Sequence, residues 1–171
     1  MTKEELKNSI LEVAKLSGEF KLRSGLTSNV YFDKYRFESK PQILKAIAQH
    51  MAPLVPKDTE VLAGLEMGGI PIATALSLET GIPVAFIRKE AKDYGTCKFA
   101  EGGEIKGKKL CIIEDVITTG GQVVISTNDL RSEGAIIDSV ISVIFRGKKA
   151  PQGILDLNLK LTHLFDFSAL T

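Results

Sequence analysis

The chain has 171 residues, 44% of them hydrophobic and 25% charged, with a formal net charge of +1. This is the size and composition of one globular domain able to bury a core. The balanced charge lacks the basic excess of a nucleic-acid binder, and no apolar run approaches the roughly 20 residues that span a bilayer. Two cysteines without metal-ligand spacing, Cys97 and Cys111, and a polar N-terminus unlike a signal peptide imply a soluble, cytoplasmic protein with reduced thiols.

Thr2 and Glu5 have the spacing of a capping box, and Leu6, Ile10, Val13, Ala14 and Leu16 follow at helical intervals, with Gly18 as the predicted stop. Residues 19–33 break that rhythm and predict two short strands around a Ser-Gly loop. Pro41 opens a second helix to about Met51. Residues 61–65 predict a buried strand, followed by Gly68-Gly69-Ile70-Pro71 and a helix ending near Gly81. Residues 83–87 and 109–113 predict further strands, 120–133 a helix stopped by Gly134, and 136–145 another strand. Short apolar strands alternating with helices imply an α/β fold with a parallel sheet covered on both faces. Residues 1–40 and 155–171 fall outside the alternation and are expected to form a small hood on a single domain.

Ligands of such sheets bind beyond the carboxyl ends of the strands. There the sequence reads Glu114-Asp115-Val116-Ile117-Thr118-Thr119-Gly120-Gly121-Gln122. Adjacent carboxylates accept from vicinal sugar hydroxyls. Hydroxyls, glycines and a helix N-terminus present donors to a phosphate. An acidic strand end before a capped helix is the bland alternative, and the length of the string argues against it. The string is neither a Walker A loop nor a dinucleotide fingerprint.

This segment resembles the PRPP-binding motif of the type I phosphoribosyltransferases (PRPP is 5-phosphoribosyl 1-diphosphate). The resemblance implies a parallel sheet with a hood. It also implies that Glu114 and Asp115 hold the ribose hydroxyls, that Thr118 to Gln122 hold the 5-phosphate, and that Val116 and Ile117 belong to the same PRPP site. The string Arg88-Lys89-Glu90-Ala91-Lys92-Asp93-Tyr94-Gly95 resembles the catalytic loop of the orotate phosphoribosyltransferases. By that resemblance Arg88, Lys89 and Lys92 bind PRPP, Lys92 and Asp115 are catalytic, and the protein is a homodimer with shared sites. Tyr94 departs from the histidine common there. Phe20-Lys21-Leu22-Arg23-Ser24-Gly25, with Phe32 beyond it, reads on its own as a hairpin. It is also similar to the family's base-binding segment, which would put Arg23 near PRPP and Phe32 near the orotate ring.

Arg146 ends the last predicted strand. A solvent-facing arginine is as good a reading of the residues alone, but the resemblance gives it the orotate carboxylate, with Thr118 also touching orotate. Gly64 to Pro71 resembles the loop that approaches the diphosphate, with Met67-Gly68 where some relatives have Tyr-Lys. Mg²⁺ is the implied cofactor, held through PRPP and water without direct protein ligands. The implied reaction joins orotate to PRPP, giving orotidine 5'-phosphate and pyrophosphate on the route to UMP. A purine phosphoribosyltransferase would lack the cationic loop and Arg146, and a nucleotide-sensing regulator would need a nucleic-acid surface. The C-terminal segment, with His163 and Asp166, reads as structural.

Overall fold

The computed structural model describes residues 1–21, 25–90 and 99–170. Helix α1 (Lys3–Ala14) starts at the expected capping box. The Thr2 hydroxyl accepts from the Glu5 N–H, and the Glu5 carboxylate accepts from the Thr2 N–H at 2.7 Å. It ends before the predicted stop. Leu16 is drawn into antiparallel pairing with Tyr31, so Gly18 lies inside strand β1 (Lys15–Lys21), which pairs with β2 (Thr27–Phe32). Asp33 then caps a short helix, α2 (Lys34–Glu38), by accepting from the Tyr35 N–H. Helix α3 (Pro41–Met51) begins at its proline as predicted.

The main sheet follows with β3 (Val61–Leu65), α4 (Gly69–Thr80), β4 (Val84–Ile87), β5 (Ala100–Glu101), β6 (Lys109–Ile117), α5 (Gly121–Ser132), β7 (Ile136–Phe145), α6 (Gln152–Asp156) and β8 (Lys160–Asp166). Its six strands run in the order β5-β4-β3-β6-β7-β8, all parallel except β5. Alternate side chains enter two cores. Leu62, Cys111 and Ile113 pack under α1, α3 and α4 with Leu6, Ile10, Ile47, Ile72 and Leu76. Val61, Ala63, Leu110 and Ile112 pack on the other face with Val123, Leu130 and Ile154 of α5 and α6. Both faces are covered, which is why these strands read as unbroken apolar runs.

Three expectations need correction. Strand β6 continues four residues past Ile113, so Glu114 and Asp115 lie on the strand and not beyond it. Pairing of Val116 and Ile117 with Ile144 and Phe145 carries the ladder that far. Of the expected hood, α1 belongs instead to the helical layer through Leu6, Ile10 and Ala14. At the other end, β8 extends the sheet beside β7. What stands apart from the main sheet is the β1–β2 ribbon.

Candidate active site

From β3 the chain crosses through α4 to β4 on one side. From β6 it crosses through α5 to β7 on the other. The connections therefore diverge between neighbouring β3 and β6, and a crevice opens at their carboxyl ends. A cleft of about 470 Å³ lies there. One wall is Glu66, Met67 and Gly68 after β3, with Lys89 after β4. The other is the whole run from Glu114 to Val123, and Lys34 and Tyr35 of α2 close the end. The Glu66–Met67 peptide is cis.

The cleft's charge is concentrated at Asp115, which is 0% exposed. Its Oδ1 accepts from the Val116 N–H, and its Oδ2 lies 2.6 Å from Lys34 Nζ in an ion pair. Gly68 backs directly onto this carboxylate: a Cβ there would collide with Oδ2. Glu38, also buried, faces Asp115. Burial above all, then the adjacent Asp115 carboxyl and its charge, push the Glu38 carboxyl up to about 9. Burial and the neighbouring Asp115 likewise push Glu114 up to about 8. Burial alone would lower the Lys34 ammonium, but its bond and attraction to Asp115 prevail and raise it, so it stays charged. Three carboxyls thus share one lysine in a shielded place.

Past the acids, Thr118 and Thr119 are exposed on the turn and Gly120 takes a left-handed conformation, φ 71°, at the N-cap of α5. No side chain caps this end. The first-turn amides, at Gly121, Gln122 and Val123, lie along the cleft, where an anion would meet both their donors and the helix dipole. The Gln122 amide donates to Ser126 Oγ at 3.2 Å.

A second hollow, about 240 Å³, adjoins the first and shares Lys34, Tyr35, Val116 and Thr118 with it. Tyr31, Phe32 and Arg146 complete it. The Arg146 guanidinium lies 3.8 Å from the Phe167 ring centroid and 5.9 Å from that of Phe32, and these two rings meet edge to face at 5.5 Å. The hollow is therefore a flat aromatic slot with a cation at its rim.

The structure thus gathers Phe32, Lys89, Arg146 and residues 114–122 into two adjoining hollows. Arg88 is placed elsewhere: its Nε lies 3.4 Å from Glu101 Oε1, across the β4–β5 edge. The expected roles of Arg23, Lys92 and Tyr94 fall outside the described residues, as does Cys97, whereas Cys111 is a free thiol buried in the core. Sequence reasoning missed Lys34, Glu38 and Phe167. Only Asp33-Lys34, a cap before a cation, gave any signal, and nothing in the sequence tied it to Asp115.

Residues 36–156 match the phosphoribosyl transferase domain family. An orotate phosphoribosyltransferase from a Nocardioides species is 48% identical over 149 residues, 87% of this chain and 83% of that one. The chain belongs to the orotate phosphoribosyltransferases. The orotate phosphoribosyltransferase of Methanocaldococcus jannaschii is 38% identical over 95% of this chain and 93% of its own. The fold agrees: a crystal structure of the Mycobacterium tuberculosis orotate phosphoribosyltransferase superposes with a TM-score of 0.88 at 26% identity, covering 98% of each chain. No helix among the described residues is long and apolar enough to cross a membrane.

Proposed function

We propose that this orotate phosphoribosyltransferase binds PRPP along the larger cleft and orotate in the aromatic slot. The observation that carries the reading is the seam between the hollows: Thr118 and Val116 line both, so a base in one and a ribose in the other meet edge to edge. The ribose hydroxyls donate to Glu114 and Asp115, and the 5-phosphate accepts from the amides and hydroxyls of 118–122. Phe32 stacks on the orotate ring, and Arg146 takes its carboxylate through parallel hydrogen bonds. The N1 lone pair of orotate forms the bond to C1' of the ribose as the bond from C1' to diphosphate breaks, the electron pair leaving with pyrophosphate. Orienting both partners and excluding water supply much of the rate.

The residues present fit a Mg²⁺ carried by the substrate: Glu66 and Glu114 line an open cleft where they would hold its waters. When bound, the cation would neutralise the departing diphosphate. Lys89 on the cleft wall completes the diphosphate site together with Arg23, and Arg88 and Lys92 reach the neighbouring subunit's site across a homodimer. The protein works in the cytoplasm on small molecules.

The test is an ultraviolet assay with PRPP and Mg²⁺, offering orotate, uracil, adenine and hypoxanthine separately. Consumption of orotate alone supports the reading; turnover of a purine instead would refute it. Shared sites are tested by mixing inactive Asp115→Asn and Lys92→Ala proteins. Activity returns in hybrid dimers if the loop acts in trans, and stays absent after proven subunit exchange if it does not.

A further inference from the structure

Lys34 is the residue whose position the preceding roles leave unexplained. It comes from α2, outside the main sheet, yet its ammonium reaches 2.6 Å from the fully buried Asp115. It also lines both hollows. A sugar hydroxyl approaching Asp115 therefore meets a carboxylate already occupied on Oδ2, and one partner must yield. A lysine has a flexible four-carbon stem and a point charge, so it can turn from one anion to another without losing its charge.

The direction in which it can turn is set by its surroundings. Glu114 and Asp115 on β6 and Glu38 on its own helix face it on the cleft side, with Tyr35 stacked 5.2 Å away. On the other side lies the base slot, where Tyr31, Phe32, Thr118 and Arg146 are its neighbours. Among the described residues that line the slot there is no carboxylate, so two cations, Lys34 and Arg146, face a space with no anion of its own. Orotate with N1 deprotonated brings two negative charges. Its carboxylate suits the forked guanidinium of Arg146. The attacking N1 must lie beside the ribose C1', and C1' adjoins the C2' hydroxyl that Asp115 receives. A cation paired with Asp115 and lining the base slot stands at that junction.

We propose that Lys34 is a specificity-determining residue that neutralises Asp115 in the empty enzyme and swings to the N1 edge of orotate when the ribose hydroxyls take its place. This rests on the proposed phosphoribosyl transfer. The proton of N1 goes to solvent as orotate binds. Lys34 stays an ammonium throughout and donates no proton to product. The N1 lone pair then forms the bond to C1' while diphosphate leaves with its electron pair. Uracil lacks the ring carboxylate and brings one negative charge fewer to a slot lined by two cations, so the same residue that favours orotate disfavours uracil.

The experiment compares wild type with Lys34→Met and Lys34→Arg, measuring kcat/KM for orotate, KM for PRPP, and the orotate-to-uracil preference. Lys34→Met is expected to lose about 100-fold in kcat/KM for orotate while KM for PRPP moves less than about threefold. Its preference for orotate over uracil should shrink by a similar factor, and Lys34→Arg should recover most of the loss. Should Lys34→Met fail to fold by circular dichroism, Lys34→Gln replaces it, keeping a donor to Asp115 without the charge. Orotate efficiency within about threefold of wild type, or a loss that leaves the orotate-to-uracil ratio unchanged, would overturn the assignment. A wild-type protein inactive on orotate would instead strike the proposed transfer itself, and the role of Lys34 with it.

Discussion

Lysine–aspartate pairs of nearly equal length stand at opposite ends of the main sheet, and their surroundings make them different objects. At the amino end, Lys109 lies 2.5 Å from Asp58 and 2.7 Å from Asp138, and Lys108 lies 3.0 Å from Glu60. All three acids are exposed, and they share two cations at the surface, Lys109 and Lys108. At the carboxyl end, Lys34 is 2.6 Å from an Asp115 with no exposure, and Glu38 and Glu114 crowd the same space. Exposed pairs of this kind are solvated before and after they form, and contribute little. A shielded cluster in which burial holds two carboxyls protonated around one lysine–aspartate pair is set to exchange partners with a ligand. Distance alone would not have told the two ends apart.

The sharpest way to break this contrast is at Asp115. Asp115→Ala should lower kcat/KM for PRPP by about three orders of magnitude, because it removes a hydroxyl acceptor and strands Lys34. Steady-state kinetics would check it, and a loss under about tenfold would place the acid outside the site. Next in size is Arg146→Ala. It should weaken orotate recognition by roughly 2–3 kcal/mol, towards the low end for a charge partner because Arg146 is an exposed residue. Competition with an unreactive orotate analogue would measure this, with PRPP affinity unchanged.

The two ends should also respond to pH in opposite directions. Glu38 and Glu114 are held above the ordinary carboxyl value of 4.5, at about 9 and about 8. More protons are then bound in the folded state than in the unfolded state between those limits. The stability they give is complete below the ordinary value and is lost as pH rises through the folded values. Asp58 and Glu60 are held below their ordinary values by Lys109 and Lys108, so their smaller contribution is lost only as pH falls into the acid range. Melting temperature should therefore decline from about pH 5 towards pH 9, and Glu38→Gln should flatten that decline while leaving the acid limb unchanged. An unaltered slope in Glu38→Gln would show that the carboxyl is not shielded. Smallest of all should be Lys109→Ala, with melting temperature barely moved and the difference vanishing in high salt. A large, salt-resistant loss would erase the distinction between the two ends.

Which parts were legible in the sequence follows from how locally each was encoded. The buried strands at residues 61–65 and 136–145 were readable because both faces are covered, and α3 because its proline fixes the start. The motif from Glu114 to Gln122 was readable because one strand, one turn and one helix start carry all of it. Strand β8 was not, since an edge strand with one half-exposed face leaves no apolar run. Nor was α2, whose five residues are too few for a period to show. Lys34 and Phe167 depend on contacts between segments far apart in the chain. Lys34 meets Asp115 eighty-one positions later (115 − 34), and Phe167 faces Arg146 from a turn after β8. No pattern in either segment announces its distant partner.

The close approach of Gly68 to Asp115 ties two positions into one unit of inheritance. With hydrogen alone at 68, the carboxylate can lean inward and be met by an amine from α2. Any branch added at 68 would claim that volume and swing the acid to another rotamer, changing the chemistry at 115 without altering its codon. Substitutions at this small site must therefore be scored as pairs, and a protein engineer who fills the space behind the loop is rewriting the acid as well.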